Sequence, residues 1–324
     1  MHTHDYIGFD IGGTKCAVVA AQANWQQNMC TIVDRVQIAT KPVAWERILQ
    51  KLAEHARTMI RTHALKPVAA GISCGGPLDS TTGVIMSPPN LPGWDNVPAT
   101  QYITHQLSIP SFLQNDANAC TIAEWKFGAG KGCTNMLFLT CGTGLGAGLI
   151  LNGCLYEGTN GLAGEIGHVR IARTGPLGYG KKGSLEGFCS GSGIKQLGHM
   201  LIKKARKNGT ASKLLNLRDD EITAKTIAGA AERGDALAMQ IYATAAKKLG
   251  LGLSLLIDIL NPECIIIGSI FTRSEKLFRA TVERIIQKEA LALSAKNCRI
   301  LVSALGDTIG DYAAIATACK NSDF

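Results

Sequence analysis

The chain has 324 residues, 46% of them hydrophobic and 18% charged, which excludes a disordered or low-complexity polypeptide and allows two domains, each with its own core. The 33 basic and 25 acidic residues give a net charge of +8, yet the basic residues are dispersed apart from "KKARKNG" (Lys203–Gly209), a water-facing helical run, so no nucleic-acid partner is expected. Eleven scattered cysteines without a CxxC pair point to reduced thiols and a cytoplasmic protein, and the longest apolar stretch, "LGLGLSLLIDIL", is short and carries Asp258, so no membrane span is expected.

The N-terminal "MHTHDYIGFD" enters a strand pattern within its ten residues, leaving no room for a cleavable leader. "GFDIGGTKCAVVAAQ" (Gly8–Gln22) then reads as strand, Gly-Gly-Thr-Lys turn, strand, with Asp10 at the end of the first strand. A P-loop would lead into a helix, whereas Cys16–Val19 continue as a strand. The glycines permit close approach of the backbone to a ligand; taken alone, the stretch equally fits a hairpin that binds nothing. "AWERILQKLAEHARTMI" has the apolar spacing of a surface helix. "VAAGISCGGPLD" reads as a buried strand running into a Gly-Gly-Pro turn, and "MSPPNLPGWDNVP", with four prolines, as a stiffened loop belonging to a site or to the surface.

"QNDANA" puts Asp116 between an apolar strand and a helix beginning near Asn115. An acid there caps a helix, or, at a strand's C-terminal end opposite a phosphate-binding turn, accepts a proton from a substrate hydroxyl. The domain boundary is drawn at this point, with a smaller N-terminal α/β domain over 1–116 and a larger one over 117–310.

"NMLFLTCGTGLGAGLILNG" (Asn135–Gly153) repeats the opening plan of strand, glycine-threonine turn and strand, which suggests two related halves facing one ligand. Gly142, Gly144 and Ala147 fit GxGxxA, with Glu165 about twenty residues on. That dinucleotide fingerprint requires a helix after the turn, however, and "GLILNG" is a strand pattern ending in a turn signal. "GLAGEIGHVRI" holds Glu165 and His168, and Glu186 follows in "GSLEGFCSG". A lone histidine is more often a satisfied core residue; carboxylates and an imidazole in glycine-rich segments supply the donors and acceptors a polyhydroxylated ligand needs. The Ala-rich "GDTIGDYAAIATACK" opens a helix over about 311–324 expected to pack back on the first domain. Strand-like and helix-like runs alternate throughout, so the class is α/β.

Five stretches, "DIGGTK", "PNLPGW", "NDANA", "CGTGLGAGLILNG" running on to "GLAGEIGHVRI", and "LNPECIIIGSI", together resemble the ROK family of sugar kinases and repressors, in that family's order and over nearly the whole chain. The resemblance implies a two-domain actin-like ATPase (ribonuclease H-like) fold with an interdomain cleft. It also implies transfer of the γ-phosphoryl of ATP to the 6-hydroxyl of a hexose, with glucose the first expectation and N-acetylglucosamine or N-acetylmannosamine the alternatives. Gly12, Gly13, Thr14 and Lys15 resemble the first phosphate loop, and Gly142, Thr143 and Gly144 the second. Asp10 would hold hydrated Mg²⁺. Gly268 lies in the segment near the adenosine, with Ser269 where the family more often has glycine. Asp116 matches the general base, and Asn90, Asn115, Asp116, Glu165, His168 and Glu186 match sugar-contacting positions. A homodimer is implied as well.

One departure stands out. Relatives often carry CxCGxxGCxE ending at the position of Glu186, with three cysteines that join a histidine around structural zinc. Here that stretch is "LGYGKKGSLE", with Leu177, Tyr179 and Ser184 at the cysteine positions, so no zinc is expected and His168 must be oriented by another contact. A non-catalytic, sugar-responsive regulator is the second reading; family repressors carry a helix-turn-helix ahead of the kinase-like part, whereas nine residues precede Asp10 here.

Overall fold

The computed structural model describes residues 3–40 and 44–322. An antiparallel meander comes first, β1 (His4–Ile11), β2 (Lys15–Asn24) and β3 (Met29–Ala39). Helix α1 (Trp45–Thr62) leads to β4 (Pro67–Cys74), a ribbon of β5 (Leu78–Asp79) and β6 (Val84–Ile85), helix α2 (Ala99–Leu107), β7 (Ser111–Asn115) and helix α3 (Asp116–Phe127). Next are β8 (Met136–Cys141), β9 (Leu145–Leu151), β10 (Cys154–Tyr156) and a second ribbon, β11 (Leu177–Gly178) with β12 (Lys181–Lys182). Helices α4 (Leu185–Cys189), α5 (Gly191–Asn208), α6 (Ala224–Glu232) and α7 (Ala236–Leu260) precede β13 (Cys264–Ile267). Helices α8 (Ile270–Arg273), α9 (Glu275–Glu289) and α10 (Ala292–Asn297), strand β14 (Arg299–Val302) and helix α11 (Ile309–Asn321) complete the order. The class is α/β, as the alternating pattern implies; the last two residues of the expected C-terminal helix, 323–324, lie outside the described residues.

The chain divides into two units, residues 1–134, 148–163 and 304–324, and residues 135–147 and 164–303. In the first unit the sheet order is β3-β2-β1-β4-β7, with β1, β4 and β7 parallel. Side chains alternate across a strand. Ile7, Phe9 and Ile11 therefore enter a core with Ile48, Leu49 and Leu52 of α1, while Tyr6 joins Ile315 and Ala318 of α11 on the other face. Asp10 shares the parity of Tyr6, so the strand aims it at α11. That helix lies close because glycine and alanine face each other: a Cβ on Gly8 would stand 2.9 Å from Ala314 Cβ, and one on Gly71 would collide with the Ala314 carbonyl. Helix α3 packs against α11 in the same unit.

In the second unit β8, β13 and β14 run parallel. The long α7 starts at an Asp235 cap, whose side chain accepts from Ala238 N, and ends at Asn261, left-handed at φ +44°. Gly250 and Gly252 let its neighbours approach: added Cβ atoms would meet Ile285 of α9 at 2.7 Å and Leu185 of α4 at 2.6 Å. Strand β9 starts in this unit and continues in the first, where Asn152 and Gly153, at φ +52° and +73°, turn it into β10. A strand, not a helix, follows the second glycine-threonine turn, so the dinucleotide fingerprint lacks its required context. No helix among the described residues is long and apolar enough to cross a membrane.

Candidate active site

The turn joining β1 to β2 is held from outside by Thr40, whose hydroxyl donates to Gly12 O at 2.6 Å and whose N–H donates to Thr14 O at 2.9 Å. Gly13, Thr14 and Lys15 are exposed. Glycine is required at 13 by close approach: an added Cβ would run into the Asn90 carbonyl and stand 2.9 Å from Asn90 Cβ. The Asn90 loop therefore rests directly on the turn, pinned by the buried side chains of Leu91 and Trp94.

Asn115 and Asp116 sit where β7 meets α3, and the chain separates their tasks. Asn115 is the helix cap, its Oδ1 accepting from Ala117 N at 3.0 Å and Asn118 N at 3.4 Å, so its Nδ2 is the part left to donate to a ligand. Asp116, the first helical residue, accepts from Ala117 N at 2.8 Å and remains solvent-accessible, although the protein crowding around it raises its pKa.

Asp10, at the end of β1, is pushed up to about 6 by burial first, then by the negative charges of Asp311 and Asp116, with Lys15 and Arg35 opposing. Asp311, in the first turn of α11, is itself raised by burial despite its 2.7 Å ion pair with Arg35 of β3. The charges of Asp311 and Asp116 thus reach Asp10 without full neutralisation, but no group of three acidic, histidine or cysteine side chains among the described residues is placed to ligate a metal directly, so Asp10 fits a divalent cation only through that ion's water shell. Gly310 leaves the room: a Cβ there would press on the Asp10 carboxylate.

The second unit carries the remaining candidates. Between β8 and β9, Gly142 O accepts from Gly191 N at 2.8 Å and Thr143 O from Ser192 Oγ at 2.8 Å. Both partners open α5, so the N-terminal end of an 18-residue helix adjoins the turn, and such an end attracts phosphate. A cavity of about 940 Å³ lies beside it, with Lys195, Lys225 and Arg273 as cations in its wall and Glu232 as an acid. Gly268 is buried against Phe138, where a Cβ would come within 3.0 Å of the ring. Ser269 next to it has φ +58°, a conformation suited to glycine, and its hydroxyl lies 3.4 Å from that of Thr140.

Glu186, in the first turn of α4, accepts from Leu145 N at 3.0 Å, which fixes one of its oxygens beside Gly144, where an added Cβ would stand 2.9 Å away. His168 ends a short 3₁₀ turn (Ile166–His168), half-buried, with exposed Glu165 just before that turn. The stretch over Leu177–Ser184 forms the β11–β12 ribbon, and the ring of Tyr179 meets His168 edge-on with centroids 4.9 Å apart. Leucine, tyrosine and serine at positions 177, 179 and 184 offer no thiolate or imidazole to complete a tetrahedral zinc with His168.

Sequence reasoning missed Asp311, Arg35, Ser192 and the cavity cations. Only Asp311 carried a local signal, an acid in the first turn of a recognisable helix; the others gain meaning solely from tertiary neighbours.

A model of the ROK family matches residues 6–320. The chain is 30% identical over 311 residues to a glucokinase of Halalkalibacterium halodurans, covering 94% of this chain and 92% of that one. It is also 30% identical over 267 residues to a xylose repressor of Caldicellulosiruptor bescii, covering 81% of this chain and 66% of the repressor. The crystal structure of a ROK family glucokinase from Streptomyces griseus in complex with glucose and AMPPNP superposes with a TM-score of 0.76 at 26% identity, covering 98% of this chain and 100% of that one. The fold is accordingly that of the actin-like ATPases.

Proposed function

Because the chain belongs to the ROK family, which holds sugar kinases and repressors, we propose that it is an ATP-dependent kinase acting on the 6-hydroxyl of a hexose, glucose before N-acetylglucosamine or N-acetylmannosamine. The observation that carries this reading is the division of labour at β7–α3: Asn115 caps the helix, which leaves the accessible Asp116 carboxylate for proton abstraction. Its raised pKa improves the match between base and working pH.

Phosphoryl transfer asks a protein mainly for alignment and charge neutralisation. Lys15, the first turn and the helical end at Gly191–Ser192 provide groups that bind phosphate, and the cavity beside Thr143 has the volume for a nucleoside. Asp10, aided by Asp311, would hold Mg²⁺ through its water shell; when bound, that ion supplies the positive charge the three carboxylates and the triphosphate lack. Asn90, the Asn115 amide, Glu165, His168 and Glu186 would pair with sugar hydroxyls. Each polar group left unpaired by an analogue lacking a hydroxyl would weaken its binding.

The test is ADP release, coupled to a spectrophotometric readout, over a panel of hexoses and N-acylhexosamines with MgATP. Turnover on one member with a kcat/KM at least about tenfold above the others supports the reading and names the sugar. Tight sugar binding with no turnover on any member would favour the second reading, a sugar-responsive regulator, which the similarity to the xylose repressor supports. Elemental analysis of the purified protein is expected to show no stoichiometric zinc, and one tightly held zinc per chain would contradict the placement of Leu177, Tyr179 and Ser184.

A further inference from the structure

The β11–β12 ribbon closes through a two-residue turn, Tyr179 and Gly180, between the pairs Leu177–Lys182 and Gly178–Lys181. Both residues are left-handed, at φ +44° and +78°. Turns of this shape favour asparagine followed by glycine, because a bulky side chain at positive φ is strained. Tyr179 is 70% exposed, so burial does not explain why an aromatic residue occupies the strained position. Such an outlier is a reason to look for function.

What the ring touches is His168, edge-on at 4.9 Å and 68° between planes. From the opposite strand of the ribbon, Lys181 Nζ donates to the His168 carbonyl at 2.8 Å. Ser184 anchors the base of the ribbon: its hydroxyl donates to Lys181 O at 3.3 Å and accepts from Gly187 N at 3.2 Å, capping α4, the helix that carries Glu186. Val169 O accepts from Leu185 N at 2.9 Å, so the segments bearing His168 and Glu186 are tied twice.

We propose that Tyr179 is a positioning residue of the sugar site: its ring sets the plane of the His168 imidazole, and Lys181 fixes that residue's backbone. The inference rests on the kinase reading for its consequence, sugar affinity, but not for the contact itself.

Tyr179→Asn separates the two roles position 179 could have. Asparagine suits the turn better, so a purely structural role predicts unchanged kinetics and an unchanged or higher melting temperature. The positioning role predicts, with that same stability, a rise of about fivefold or more in the KM for sugar while the KM for ATP stays put. Tyr179→Phe, which keeps the ring, is expected to match the wild type. Adding Tyr179→Asn to His168→Ala is expected to do nothing further, since the ring acts through the imidazole. A wild-type sugar KM in Tyr179→Asn, damage in Tyr179→Phe equal to that in Tyr179→Asn, or additive penalties with His168→Ala would each overturn the proposal. Should the wild type turn over no sugar, the kinase reading fails by itself. The positioning claim is then decided by the ring carbon shifts of ¹³C-labelled histidine, with His168 assigned by its loss in His168→Ala. Shifts moved in Tyr179→Asn and restored in Tyr179→Phe support it; identical shifts in all three proteins overturn it.

Discussion

At the first glycine-threonine turn, Thr40 gives a hydroxyl and an N–H to the carbonyls of Gly12 and Thr14; at the second, Ser192 and Gly191 give the same pair of donors to Thr143 and Gly142. Their surroundings diverge. The first turn is packed, with Asn90 seated in the space of a Gly13 Cβ, and lies in a field of carboxylates. The second opens beside a cavity with three cations in its wall, and a Cβ on Gly142 would meet only ordinary contacts, 3.8 Å to Ser269 Oγ. The contrast teaches that one turn design can sit in two different fields; on the kinase reading proposed above, the packed, acidic copy would serve the chemistry and the open, cationic copy would retain the nucleotide.

Alanine at the two glycines tests this most severely. Gly13→Ala is expected to displace the Asn90 loop, lowering kcat/KM by about 10²-fold and stability by about 1–3 kcal/mol. Gly142→Ala should leave the melting temperature at its wild-type value. Equal destabilisation of the two variants, read by thermal denaturation, would break the comparison.

The cavity cations sharpen it. Lys225→Ala is expected to raise the KM for ATP about tenfold, the loss of one charge-assisted hydrogen bond, without altering kcat or the sugar KM. A matching fall in kcat in steady-state kinetics would move Lys225 from nucleotide binding into the chemical step.

A smaller effect concerns the acids beside the first turn. Asp10 binds its proton more tightly in the folded chain, at about 6 against an ordinary 3.8. Its contribution to stability is therefore fully present below about pH 4 and is lost as the pH rises through about 6. Asp10→Asn, neutral at every pH, is expected to be more stable than the nucleotide-free wild type at pH 7.5, by up to about 3 kcal/mol, and to show no such advantage at pH 4. Calorimetric scans at the two pH values check it; an advantage independent of pH would show that the carboxylate's charge is not the cause.

The smallest is Ser269→Gly beside the second turn. Relieving a serine at φ +58° should add about 1 kcal/mol, a rise of about 2–4 °C in melting temperature. A fall would mean that the contact with Thr140 outweighs the strain.

Much of the fold was legible because its signals are local. The Asn152-Gly153 turn, the apolar stripe of α1 and the Ala-rich α11 each follow from spacing and turn chemistry alone. Even the approach of Asp10 to α11 follows from two-residue alternation once that helix is docked. Part of the site was hidden for two physical reasons. Asn115 and Asp116 are adjacent residues that both cap helices well, so only the hydrogen bonds reveal which one is left for other work. The neighbours that raise Asp10, the partner that demands glycine at 13, and the ring that meets His168 are distant in sequence or lie in a ribbon whose Tyr-Gly turn departs from the usual residue preference. Packing decides such features, and no periodicity announces them.

The central claim is that Asp116 takes the proton from the sugar hydroxyl, and the most direct measurement is ADP release at saturating sugar and MgATP by the wild type and by Asp116→Asn. A fall in kcat of at least about 10²-fold with both KM values near wild type is the predicted result. A turnover rate unchanged by the substitution would contradict it.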